Sequence, residues 1–307
     1  MQIKNIALLF FALGALPLGF GGCASEPVKP AVSVYFAPSM ERAIEILNET
    51  ADGRELSDYL HAHPIPITYA QLPAPWPQYD PQVKQLFLPK ELKDNDYLVA
   101  LALMRGIETY RLCETLRLDE IMLEVDQIAA IREMQMIIEL GLENKEGENS
   151  ASGRQMLDEA CSYMIGGPRA LAEKVKSDAL SPLRPDYGRY YRPASVKLSW
   201  LRQIKTALDA NTLPQVMQKF DRDRVRRGEI TMADADKNAM EFRSMDLRQM
   251  YRKYDDLYLH GTKSLDNLEK EYEKRLAAAA DWHDKYRKAV ARQLARTTYC
   301  NTFIKAQ

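Results

Sequence analysis

Along most of the chain, apolar residues return every three or four positions, the spacing that lays one stripe along an α-helix. "PSMERAIEILNET" carries Met40, Ile44 and Leu47 in that register, with Ser39 placed to cap it. "ADGRELSDYLHAH" follows, with Leu56, Tyr59 and Leu60 facing inward. Two apolar helices are predicted over 95–115 and 119–141, the second closed by Gly141. "GRQMLDEACSYMI", "PRALAEKVKSDAL" and the amphipathic "ASVKLSWLRQIKTALDA" continue the pattern. The last hundred residues read as a long antiparallel hairpin: a helix over 231–259, a turn at "HGTKS", and a helix over 265–298. Leu265, Leu268, Tyr272, Leu276, Ala279, Trp282, Tyr286 and Val290 line the second arm; Met240, Met245, Leu247, Met250, Tyr254 and Leu257 line the first.

One stretch departs from this period. "PIPITYAQLPAPWPQYDPQVKQLFLPKEL" holds seven prolines and two β-leaning runs, "IPITYA" and "VKQLFLP". Two short strands joined by an irregular loop are predicted there. The expected fold is mainly α. A helical domain with a minor two-strand element covers 39–142, and a helical domain ending in the hairpin covers 143–307. The polar "ENKEGENSASG" marks the boundary.

The first 22 residues are of another kind. Lys4 precedes the apolar run "IALLFFALGALPLGF", which is short for a membrane span and is broken by Gly14, Pro17 and Gly19. It ends in "FGGCAS", and the small residues Gly21 and Gly22 before Cys23 resemble the lipobox of bacterial lipoproteins, with Phe20 where leucine is usual. The resemblance implies a signal peptide over 1–22, acylation of Cys23 and a Pro-rich tether over 23–38. Several acyl chains, each adding about 0.8 kcal/mol per buried CH₂, make such anchoring stable. Ala24 after the cysteine implies sorting to the outer membrane, facing the periplasm. Cleavage after Ala24 by the ordinary signal peptidase is the alternative and leaves a soluble periplasmic protein.

Charge adds little, since 42 basic residues stand against 43 acidic ones with no basic block, so nothing points to nucleic acid. Cys113, Cys161 and Cys300 remain after the signal and permit at most one internal disulfide. Which two would pair is open; Cys113, inside an apolar helix, suits a small core residue.

Candidate chemistry centres on "LVALALMRGIETYR" and "LEVDQIAA". The order of helix, strands, helix and acidic helix over 52–142 is similar to a small zincin-like metallopeptidase domain, which implies an H-E-x-x-H helix followed by a glutamate helix. In that motif two histidines on one helical face bind zinc and the glutamate activates water. Here Arg105 and Thr109 occupy the histidine positions and Gly106 the glutamate position; Glu124 matches the third ligand, with Asp126 two residues on. Arginine does not deprotonate to bind zinc and glycine supplies no base, so the resemblance implies a degenerate site without metal or other cofactor. In that reading the Arg105 guanidinium points at Glu124 and clamps the two helices. In the other, "RGIET" is a polar interruption of an ordinary helix.

The remaining residues point to no reaction. His61 and His63 lack ligand-spaced partners, His260 falls in the predicted turn, and His283 stands beside Trp282. There is no nucleophile elbow and no Walker loop; "MIGGPRA" reads as a helix break. "DRDRVRRGE" reads as an exposed helix end, and "RPDYGRYYRP" as a loop or a protein-contact surface. The expected function is non-catalytic: a lipid-anchored envelope protein that binds or scaffolds an envelope protein partner. The alternative is a peptidase-like hydrolase with ligands elsewhere, drawing on His61 or His63.

Overall fold

The computed structural model describes residues 40–300 apart from 73, 142–148, 180–191, 211, 227, 229 and 245, all within the unit Val34–Gln307. The signal peptide, Cys23, the tether and Ser39 lie outside the described residues, as does most of "SPLRPDYGRYYRP". The fold is mainly helical with a small sheet. In order come α1 (Glu41–Leu47), α2 (Ala51–Ala62), β1 (Ile67–Ala70), β2 (Gln78–Asp80), β3 (Gln85–Pro89), α3 (Asp96–Leu116), α4 (Leu123–Leu140) and α5 (Ala151–Ala179). Then follow α6 (Ala194–Asp209), α7 (Leu213–Arg226), α8 (Met232–Ser244), α9 (Leu247–Lys285) and α10 (Arg287–Arg296).

The two predicted strands are β1 and β3, but they pair in parallel, with Ile67 opposite Leu86 and Tyr69 opposite Leu88. A third strand, β2, runs antiparallel to β3 on its other side. It has three residues and prolines at both flanks, Pro77 and Pro81, so its pattern is too short to show in the sequence. The β2–β3 turn is built by Asp80, whose Oδ1 accepts from the backbone N–H of Gln82 (2.8 Å) and of Val83 (3.3 Å).

Helix α3 is the centre of the molecule. Asn95 caps it, its Oδ1 accepting from the Leu98 N–H at 3.0 Å. From Leu98 to Tyr110 every residue is buried, the apolar majority and also Arg105, Glu108 and Thr109. β3 lies on it at Gly106, where a Cβ would stand 2.6 Å from Leu86 Cδ1. The absent side chain is what lets sheet and helix touch. Helix α4 packs on α3 and α5 packs on α4, and side chains before and after 142–148 share one hydrophobic cluster. α5 is bent at "GGP": Gly167 is left-handed (φ 73°) and Pro168 starts the next straight segment, so the predicted break is present.

The terminal hairpin does not form. Residues 247–285 are one unbroken helix of 39 residues, and His260, expected in a turn, lies within it. The apolar stripe keeps phase across the expected turn, through Tyr254, Leu257, Tyr258, Gly261, Leu265 and Leu268. A turn would have broken that phase. A lone glycine costs a helix only about 1 kcal/mol. Gly261 returns that cost in packing: a Cβ there would meet Leu201 Cδ1 of α6 at 2.8 Å. The second half of α9 packs on α4 and α5 instead of on a returning arm, and Met240, assigned to such an arm, is exposed on α8.

Cys161 of α5 and Cys300 beyond α10 form a disulfide, with Cα atoms 5.3 Å apart, which ties the end of the described chain to its core. Cys113 is the free, buried thiol, held strongly protonated by burial first and then by the charge of Glu114.

Candidate functional site

Arg105 projects from the middle of α3 into the contact with α4 and α5, where only 2 % of it is exposed. Three carboxylates converge on it. Asp126 takes a two-pronged grip, Nε and Nη2 donating to Oδ1 and Oδ2 at 2.9 Å each. Nη1 donates to Glu159 Oε2 at 2.7 Å and, more weakly, to Glu133 Oε2 at 3.3 Å. Asp126 and Glu133 stand seven residues apart, two turns along one face of α4, and Glu159 comes from the first half of α5. Gln155, one turn before Glu159, donates Nε2 to Glu159 Oε1 (2.9 Å) and to Asp178 Oδ2 (2.6 Å). Lys174 donates to the same Asp178 oxygen.

The cluster holds more acid than base: one guanidinium faces three carboxyls, all out of water. Burial pushes Glu133 up to about 8; Arg105 pulls it down, while the charges of Glu159 and Asp126 push further up. Glu159 is raised as well, first by burial. Geometry singles out Glu133, because its Oε1 is buried without a hydrogen-bond partner, whereas Asp126 and Glu159 use both oxygens. These effects favour the protonated form of Glu133, while at Arg105 burial opposes the charge and Asp126, Glu159 and Glu133 outweigh it, raising its hold on its proton.

The predicted site residues therefore divide. Arg105 and Asp126 meet. Glu124 does not face Arg105, so the clamp exists with a different partner. Two residues along a helix is a rotation of about 200°, which places Asp126 and Glu124 on opposite faces. Glu124 instead receives the N–H of Ala194 on both oxygens (3.2 and 3.0 Å), capping the start of α6. Thr109 donates its Oγ1–H to the Arg105 carbonyl (2.9 Å) and reaches no ligand position. At Gly106, Leu86 fills the space a catalytic glutamate would need. The donor set thus does not fit zinc: the first position is a guanidinium already spent on carboxylates. His61 and His63 turn their Nδ1 atoms to the Ser57 and Tyr59 carbonyls at 2.7 and 3.1 Å, finishing α2. Among the described residues no three His, Cys, Asp or Glu side chains converge as a metal site.

A second polar cluster, absent from the sequence reading, lies on the α2–α4 side of α3. Buried Glu108 is held by Arg111 (2.7 Å) and approached by Arg132 (3.8 Å). Both arginines reach outward to Glu55, and Arg132 to Asp52 at 3.3 Å.

Comparison of the chain with protein-family models, with curated proteins and with solved structures finds no match.

Proposed function

We propose that this chain is an exported bacterial lipoprotein, anchored through Cys23 at the outer membrane, whose folded part binds or scaffolds an envelope protein partner without catalysing a reaction. The observation that carries the non-catalytic half is the fate of Arg105. At the position where the resembled peptidases place their first zinc ligand, this chain places a cation and spends it on Asp126 and Glu159 inside the core. These side chains are 2 % exposed or less, and the ion pairs link α3 to α4 and α5. Export is supported by the signal-like 1–22 segment before Cys23, and by the Cys161–Cys300 bond, since structural disulfides persist in oxidising compartments. No helix of the described residues is long and apolar enough to cross a membrane.

Feeding an alkyne fatty acid to a Gram-negative host that expresses the whole chain tests the anchor. The wild type takes up label and sediments with membranes; Cys23→Ala does neither. A labelled Cys23→Ala chain, or an unlabelled wild type, overturns the anchoring. Elemental analysis of the protein purified without chelator tests the other half: zinc stays far below one per chain. Stoichiometric zinc surviving dialysis would overturn the non-catalytic reading.

A further inference from the structure

Away from the main core, α7, α8 and the first part of α9 form a second, smaller hydrophobic cluster with α6. Between those three helices lies a cleft of about 300 Å³. Met217, Asp221 and Arg224 of α7, Asn238 and Phe242 of α8, and Tyr254 of α9 line it. The Phe242 and Tyr254 rings sit 5.9 Å apart, tilted by 54°, and make an aromatic wall.

The charges of the cleft are graded. Asp221 lies deepest, its side chain 14 % exposed, while Arg224 is 41 % exposed and Glu241, near the mouth, 59 %. The Asp221 carboxylate is also under-served. Asn238 Nδ2 stands 3.4 Å from both of its oxygens and Arg224 Nη1 stands 3.6 Å away, long contacts for an anion drawn back from water. Its charge is felt by Tyr254, whose hydroxyl holds its proton more tightly, through burial first and Asp221 second. Helix α8 has no fully buried residue among those described, and it meets its neighbours in the cleft through Asn238 to Asp221 and Phe242 to Tyr254.

We propose that this cleft binds a small organic ammonium compound with an apolar body. Its charge is received by Asp221, and its body by Met217, Phe242 and Tyr254. A partly desolvated carboxylate beside aromatic faces favours a cation that is itself weakly hydrated. Inorganic cations keep their water and find too few oxygens here. Simple organic anions meet Asp221 at the floor, and the cleft's basic groups are already engaged: Arg224 is turned to Asp221 at 3.6 Å, and Lys253 lies 5.8 Å from the centre of the Tyr254 ring. The proposal is independent of the anchor at Cys23 and stands or falls without it.

The test uses the purified chain labelled at its methionine methyl groups, titrated by NMR with 2-phenylethylamine and, separately, with 3-phenylpropionate. The amine shifts the Met217 methyl and leaves Met104 and Met134, buried in the main core, in place. The acid binds at least about tenfold more weakly. Asp221→Asn weakens the amine about tenfold. Because Asp221 also steadies α8, Asn238→Ala serves as the structural control and retains the preference for amine over acid. No shift at Met217 with the amine, equal binding of the acid, or equal losses in Asp221→Asn and Asn238→Ala would each overturn the proposal.

Discussion

Arg105 and Glu108 leave α3 three residues apart, yet one is sealed among carboxylates and the other is linked step by step to solvent. Around Arg105, Asp126, Glu133 and Glu159 are 2 % exposed or less. Around Glu108, Arg111 and Arg132 are 13 % and 11 % exposed, and their outer partners Glu55 and Asp52 are 54 % and 45 % exposed. Both clusters join α3 to its neighbours. Water settles the charge balance of the second, because Glu55 and Asp52 stay hydrated whatever the arginines do. The carboxylates that grip Arg105 are themselves buried, and burial among like charges raises Glu133 and Glu159 toward their protonated forms. A buried ion cluster thus differs from a graded one less in the strength of its bonds than in what happens when one member is removed.

The largest expected effect follows. Arg105→Met leaves three carboxyls facing one another without a counter-charge and destabilises the protein by about 3–5 kcal/mol, read from urea unfolding. Acidic buffer recovers part of that loss, because protonation can then replace the arginine. Asp126→Asn interacts with Arg105→Met, leaving a coupling of about 0.5–3 kcal/mol in the double-mutant cycle. Glu124→Gln, acting at the cap of α6, adds to Arg105→Met without coupling. An Arg105→Met chain as stable as the wild type would remove the sealed cluster from any role in the fold.

The sealed cluster also sets a pH dependence. Glu133 holds its proton up to about 8 in the folded state, against an ordinary value of 4.5. Between those limits the folded chain binds more protons than the unfolded one, so stability falls as pH rises. The contribution is complete below the ordinary value and is lost as pH passes through about 8, at a slope of at most about 1.4 kcal/mol per pH unit. Glu133→Gln, which carries its proton permanently, flattens the profile and is the more stable protein at alkaline pH. Thermal unfolding of the two chains across that range decides it; parallel profiles would mean that Glu133 is not the group that titrates.

How much of this is legible in the sequence depends on range. The helices α1 to α6, β1, β3 and the break at Gly167 follow from local pattern and appear where expected. The strand β2 does not, because three residues between prolines carry no alternation. The continuous helix α9 was readable in principle, since the stripe through Tyr254, Gly261 and Leu268 never loses phase; "HGTKS" has turn composition, and composition misled. At the site, a charged residue inside an all-apolar helix marks Arg105 as buried and in need of a partner. The partner itself is a matter of helix rotation and of long-range packing. Asp126 and Glu133 share a face that Glu124 does not, a difference visible once the start of α4 is known. Glu159 comes from a helix 54 residues further on than Arg105, and no spacing rule reaches it.

The smallest expected effect is at Glu55, where the two clusters can be compared directly. Burial alone would raise this carboxyl, but the hydrogen bond from Arg111 and the charge of Arg132 hold it below its ordinary range. Its sign is therefore opposite to that of Glu133: its contribution is present above the ordinary carboxylate value and is lost as pH falls. More than half of it is exposed, so solvent screens the pair, and Glu55→Ala costs no more than about 1 kcal/mol. Added salt should shrink that cost further, while leaving the penalty of Arg105→Met nearly unchanged, because ions in solution reach Glu55 and cannot reach Arg105. Urea unfolding of both variants at low and high salt makes the comparison. If salt weakened both penalties alike, the Arg105 cluster would be open to solvent, and the distinction between a sealed and a graded cluster would not hold.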